Sequence, residues 1–109
     1  MSREFVDYLS EVFTELGDIR VRRMFGGYGL YHRGLMFALV AEDTLYLKAD
    51  AQNAGEFHER ELPAFEYLKA GKVVKISYFQ APEEILEDPV EAAHWARLSV
   101  AAALRAKKA

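Results

Sequence analysis

The chain has 109 residues, 51% of them hydrophobic and 28% charged, with a formal net charge of −3 and no cysteine. This length and mixture fit a single α+β-sized globular domain spanning residues 1–109 and exclude a disordered chain. The absence of cysteine removes disulfide scaffolds, thiolate zinc sites and cysteine nucleophiles, and it fits a reducing cytoplasm. The acidic balance argues against generic nucleic-acid binding, which draws on phosphate neutralisation.

The N-terminal MSREFVDYL carries acidic residues and no long apolar core, so no signal peptide is expected. The longest purely apolar run, Leu35 to Ala41, falls far short of the ~18 residues a membrane helix needs, so no membrane association is expected. Residues 3–16 read as a helix, because Phe5, Leu9, Val12 and Leu16 recur at helical spacing. Ser2 can cap its start, and Gly17 supplies a left-handed residue at its end.

From Arg22 to Asp50 the pattern becomes that of a three-stranded antiparallel meander, on which the other elements are expected to pack. In the strand Ile19 to Phe25, Ile19, Val21, Arg23 and Phe25 point one way, and Arg20, Arg22 and Met24 the other. Gly26-Gly27 interrupts the ladder with a bulge or sharp bend. Tyr28 to His32 follows, then a turn at Arg33-Gly34, the central strand Leu35 to Ala41, a turn at Glu42-Asp43, and Thr44 to Ala49. Residues 51–60 are helix-like with Asp50 as cap, and Leu62-Pro63 ends them. Phe65 to Leu68 and Lys72 to Phe79 form a second hairpin, and Pro82 to Leu86 one helical turn.

Asp88-Pro89-Val90-Glu91 starts a last helix, with Asp as cap, Pro at the first position and Glu where a capping box needs it. That helix carries two apolar stripes. Trp95, Leu98 and Ala102 lie on one side; Val90, Ala93, Val100 and Leu104 lie nearly opposite. One stripe can pack on the sheet; the other calls for the first helix or another molecule. The order is α-β-β-β-α-β-β-α, an α+β domain with helices packed against an antiparallel sheet.

No residue set amounts to a catalytic site. Gly26-Gly27-Tyr28-Gly29 matches neither phosphate-loop pattern and leads into a strand. His32, His58 and His94 lack ligand spacing, and no serine sits in a nucleophile elbow. No cofactor or metal is expected, and the chain reads as no enzyme. A second possibility is a basic, aromatic sheet face. Arg20, Arg22, Arg23, Arg33, Lys48, Lys69, Lys72 and Lys75 interleave with Tyr28, Tyr31, Tyr46 and Tyr78, which suits single-stranded nucleic acid or simply guards sheet edges.

At MFGGYGLY and FALVAEDTLYLKAD, then through FEYLKAGKVVKISYFQAPEEILEDP and AHWARLS, the chain resembles the N-terminal domain of the TfoX/Sxy family of bacterial competence regulators. The likeness covers roughly residues 3–104. It implies an α+β fold and a non-enzymatic cytoplasmic role in regulating transcription through protein partners, such as the transcription machinery or another regulator. Full-length family regulators carry a second, C-terminal domain, for which 109 residues leave no room, so an adaptor role is expected. The family's most recognisable motif maps to Arg23, Met24, Phe25, Gly26, Gly27 and Tyr28. With Arg22 and with Trp95 and Leu98 of the last helix, these are the candidate interaction residues. A homodimer through the last helix is a further expectation.

Overall fold

Alternation of apolar and polar residues builds four consecutive strands, β1 (Arg20–Met24), β2 (Gly27–His32), β3 (Leu35–Ala41) and β4 (Thr44–Lys48). The computed structural model describes residues 3–24 and 26–109; the expected cap Ser2 and the motif residue Phe25 lie outside them. Helix α1 (Arg3–Val12) precedes the strands, and α2 (Ala54–Glu59), β5 (Ala64–Lys69), β6 (Lys72–Gln80), a 3-10 turn at Glu83–Glu87 and α3 (Pro89–Lys108) follow. Among the described residues the six strands form one antiparallel sheet in the order β1-β2-β3-β4-β6-β5. The α+β class and the alternation of helices and strands are as expected. The bend at the glycine pair is a full reversal, since β1 pairs antiparallel with β2 from Arg20↔Tyr31 to Met24↔Gly27, with Gly26 at φ 74°.

Tight turns set the register. Arg33-Gly34, Glu42-Asp43 and Ala70-Gly71 all hold positive φ at both central residues, the geometry whose twist matches that of paired strands. Between Leu30/Tyr31 and Ala38/Met36 the ladder slips, so Phe37 turns into the core although Met36 and Leu39 face away from it.

All three helices cover one face of the sheet. Val6, Leu9 and Val12 of α1 are buried there, beside Leu30, Phe37, Val40, Leu45 and Leu47. Each such side chain contributes roughly 1.5–3 kcal/mol by leaving water. Phe13 meets Phe37 edge to face at 5.4 Å, and Phe57 of α2 stacks on Phe79 at 5.2 Å and meets Trp95 at 5.2 Å. α1 stops earlier than its apolar spacing predicts. The Thr14 hydroxyl donates to the Glu11 carbonyl (2.6 Å), a local bond that competes with helix continuation, and Gly17 at φ 115° then turns the chain.

Two expectations about the helices are corrected. Asp50 does not cap α2; the residue at its N-cap is Asn53. The buried Asn53 side chain accepts from the Asp50 backbone N–H (2.7 Å) and donates to the Lys48 carbonyl (3.1 Å), joining the end of β4 to α2. The Asp50 carboxylate instead takes a forked bond from Arg105, 2.5 Å from Nε and 2.9 Å from Nη2. In α3 the face on the sheet is neither apolar stripe alone but the small-residue ridge between them: Ala92, Ala96, Ser99 and Ala103 are buried against β3 and β4. Small side chains let the helix axis come close, so the larger stripe residues flank the contact. Trp95 on one flank is in the core, whereas Val90 on the other is 67% exposed. Asp88 caps α3 as expected, accepting from the Glu91 N–H at 3.2 Å.

Candidate functional site

Among the described residues the helices lie on one face, and the other face of the sheet has no helical layer. Strand alternation and register place Met24, Gly27, Gly29, Met36, Leu39, Tyr46, Ile76 and Tyr78 on that face. It is curled. One concave groove of about 460 Å³ is lined both by Met24 of β1 and by Phe65, Tyr67 and Leu68 of β5, the two outermost strands. Met36, Leu39 and Ile76 line its floor. Leu39 is buried without belonging to the main core, because the groove residues themselves cover it.

Glycine makes the floor. A Cβ on Gly29 would sit 2.8 Å from the Met24 methyl and 3.1 Å from the Met36 sulfur, so both thioethers lie over its backbone. A Cβ on Gly27 would fall 2.1 Å from the Val40 carbonyl oxygen, so β2 and β3 meet there only because no side chain intervenes. Methionine is flexible and polarisable, and a floor built from two of them adapts to the shape of an incoming apolar group. At the tip of the β5–β6 hairpin, Leu68 and Val73 are 75% and 60% exposed, an unusual outlay of branched apolar side chains in water.

Aromatic rings fill the wall near β4 and β5. Tyr46 meets Phe65 edge to face at 5.0 Å, and Phe65 stacks on Tyr67 at 6.1 Å. Burial raises the pKa of Tyr46, with a smaller contribution from the Glu42 charge. Tyr78 is buried, its hydroxyl donates to the Met36 carbonyl at 3.3 Å, and burial pushes its pKa up to about 12.

Charge is sorted between the faces. By alternation and register the groove side carries Arg20, Arg22, Lys48, Lys69 and Lys72, and no strand position on that side is Asp or Glu. Among the described residues none of these five cations forms an ion pair. Arg22 lies over the Tyr31 ring at 5.7 Å, and Lys48 over Tyr78 at 5.2 Å, with Lys48 Nζ donating to the Ser77 hydroxyl. Lys75 lies off that side and is paired with Glu66 at 3.5 Å.

The sequence-selected residues therefore divide. Arg22 and Met24 belong to the groove side, and Gly26 and Gly27 to the turn and floor that shape it. Arg23 and Tyr28 belong to the helix side; Tyr28 is buried there with Arg3 and Arg23 at 5.6 and 5.9 Å from its ring centre. Phe25 lies outside the described residues. Trp95 is 3% exposed in the core with Arg60 over its ring, so it offers no free surface, and Leu98 is half-buried on α3. The sequence reasoning passed over Met36, Leu39, Phe65, Tyr67, Leu68 and Ile76. For Met36, Leu39 and Ile76 the signal was the two-sided apolar character of residues 35–41 and 73–79, more than one layer of helices can cover.

The histidines do not converge. His32 Nδ1 donates to the Asp18 carbonyl at 2.8 Å, His58 packs edge-on against Phe79, and His94 is exposed on α3. Among the described residues no three of His, Cys, Asp and Glu are grouped to hold a metal ion, and no helix is long and apolar enough to cross a membrane.

Comparison with known proteins places this geometry in a family. Residues 11–103 match the model of the TfoX N-terminal domain. The chain is 31% identical over 98 residues to Protein Sxy of Escherichia coli (strain K12), covering 89% of this chain and 46% of that protein. It is 31% identical over 75 residues to DNA transformation protein TfoX1 of Aliivibrio fischeri (strain ATCC 700601 / ES114), covering 69% of this chain and 36% of that protein. It thus spans less than half the length of these two curated relatives. With the family model matching most of its length, this chain belongs to the TfoX N-terminal domain family.

Proposed function

We propose that this chain is a regulatory or adaptor domain that acts without catalysis, in transcription or DNA-uptake competence, by binding a protein partner in the cytoplasm through the groove side of its sheet. The observation that carries this reading is the helix-free concave face itself, which joins an apolar floor to Leu68, exposed at its edge. The names of the two relatives, one a DNA transformation protein, support the regulatory setting.

Photocrosslinking in cells tests it. A benzophenone amino acid at Tyr67 replaces one ring by another at the groove, and the same residue at Leu104 samples the exposed stripe of α3. Protein adducts from position 67 and none from position 104 are expected. Adducts from Leu104 alone would move the contact to α3, where a homodimer would also form. A second reading is nucleic-acid binding by the same face, favoured by its five cations; adducts to nucleic acid at position 67 would establish it.

A further inference from the structure

We infer that the occupant of the groove is an acidic, amphipathic segment of a partner protein, whose apolar side chains enter over Met24 and Met36 and whose carboxylates meet Arg20, Arg22, Lys69 and Lys72. The inference rests on the proposed protein-binding role and names the chemistry of the ligand.

Charge complementarity carries it. The chain has 17 acidic residues against 14 Lys and Arg, yet the groove-facing strand positions hold five of those cations and no acid. The Glu42 carboxylate, in the β3–β4 turn, raises the pKa of Tyr46 only secondarily to burial. An acidic molecule that gathers unpaired cations on one side presents a potential opposite to its net charge there. Such a surface steers an anionic partner in and repels a basic one. At the β5–β6 tip, exposed Leu68, which lines the groove, stands next to Lys69, itself paired across the hairpin with Lys72.

The shape selects a peptide over a nucleic acid. A strand-tracking nucleic acid needs free ring faces for stacking. Here Tyr78 is buried, Tyr46 packs on Phe65, Phe65 on Tyr67, and Tyr31 lies under Arg22. Apart from Tyr67, 40% exposed and stacked on Phe65, what lies open is aliphatic and thioether surface, in a concavity whose volume falls in the range that takes apolar groups. Apolar anchors in a groove with charges along its rim are the recognition mode of amphipathic segments.

Selection of a random-peptide display library on the intact domain tests this. The enriched peptides are then measured by fluorescence anisotropy against the wild type, Leu68→Glu and the double variant Arg20→Glu/Arg22→Glu, each first shown to fold by its thermal melt. Leu68 and both arginines are exposed, so the variants leave the core alone. Expected are peptides with net negative charge and spaced apolar residues. Their affinity should drop roughly three- to tenfold in the arginine variant, fall further in Leu68→Glu, and weaken with salt. Neutral or basic peptides that still lose affinity in Leu68→Glu would overturn the acidic assignment and leave the protein-binding face standing. Failure to enrich any peptide, or peptides indifferent to both variants, would overturn both. Displacement of bound peptide by a single-stranded oligonucleotide at low salt would give the face to nucleic acid.

Discussion

Two glycines on one strand separate the structural from the functional demands on β2. A methyl group at Gly27 would lie 2.1 Å from the Val40 oxygen and 3.2 Å from its carbonyl carbon. Both are backbone atoms of the neighbouring strand, paired through Tyr28↔Val40, so they cannot rotate aside. The strands must part by about 1 Å, since non-bonded heavy atoms do not pack much inside ~3 Å. Overpacking of this kind costs about 1–3 kcal/mol, and a weakened ladder hydrogen bond adds about 1 kcal/mol. Gly27→Ala should therefore cost about 2–4 kcal/mol, a large share of the ~5–15 kcal/mol that holds a domain this size, and lower Tm by ~10–20 °C. At Gly29 the near atoms are the ends of Met24 and Met36, which can swing away. Gly29→Ala should stay within about 1 kcal/mol of the wild type, helped by the smaller entropy of the unfolded chain. Paired thermal and urea melts check this. Equal melting points for the two variants would refute the close β2–β3 approach from which the groove floor is derived.

Acid should loosen the joint between α3 and the end of β4. The Arg105 fork holds the Asp50 carboxyl down at about 2, helped by the Gln52 and Asn53 backbone bonds. A depressed carboxylate contributes stability above its unfolded pKa near 4 and loses it as pH falls through 2. Solvent screens this partly exposed pair, so the loss should be small, and Arg105→Ala should abolish that part of the acid sensitivity in melts between pH 5 and pH 2. At the alkaline end, Tyr78 should ionise near 12, so its phenol favours the fold below pH 10 and ceases to do so as pH rises through 12. Ultraviolet difference absorbance should show this late tyrosine, and Tyr78→Phe should remove it. The buried Ser99 hydroxyl has no hydrogen-bond partner among the described residues, so Ser99→Ala should leave the melt unchanged or raise stability by about 1 kcal/mol; a loss beyond that would contradict the packing of the α3 ridge.

Local chemistry was legible where neighbours along the chain decide the outcome. Period-two alternation found the strands, Arg33-Gly34 and Glu42-Asp43 the reversals, and Asp88-Pro89 the start of α3. Arg20, Arg22 and Met24 were read onto one face, and they lie on one face. What pairing decides at long range was not legible. The groove brings Met24 beside Phe65 and Leu68, which no periodicity announces, because it depends on how far the sheet curls. The bulge at Phe37 reverses which residues of β3 face the helices. In α3 the large side chains drew the eye to two stripes, while burial followed Ala92, Ala96, Ser99 and Ala103, since close approach favours small residues. Trp95 was read as a contact residue from its place on an apolar stripe, and the core takes up that side of the helix.

The groove side of the sheet, and not the helical side, is held here to be the working surface. A chromosomal Leu68→Glu change in the host, set against a deletion of the whole coding region and an exposed control change in α3, His94→Glu, puts that to the test by transcript profiling. Leu68→Glu should reproduce the deletion profile and His94→Glu the wild-type profile, with both proteins present at normal levels. A wild-type profile from Leu68→Glu, or a deletion profile from His94→Glu, would contradict the assignment.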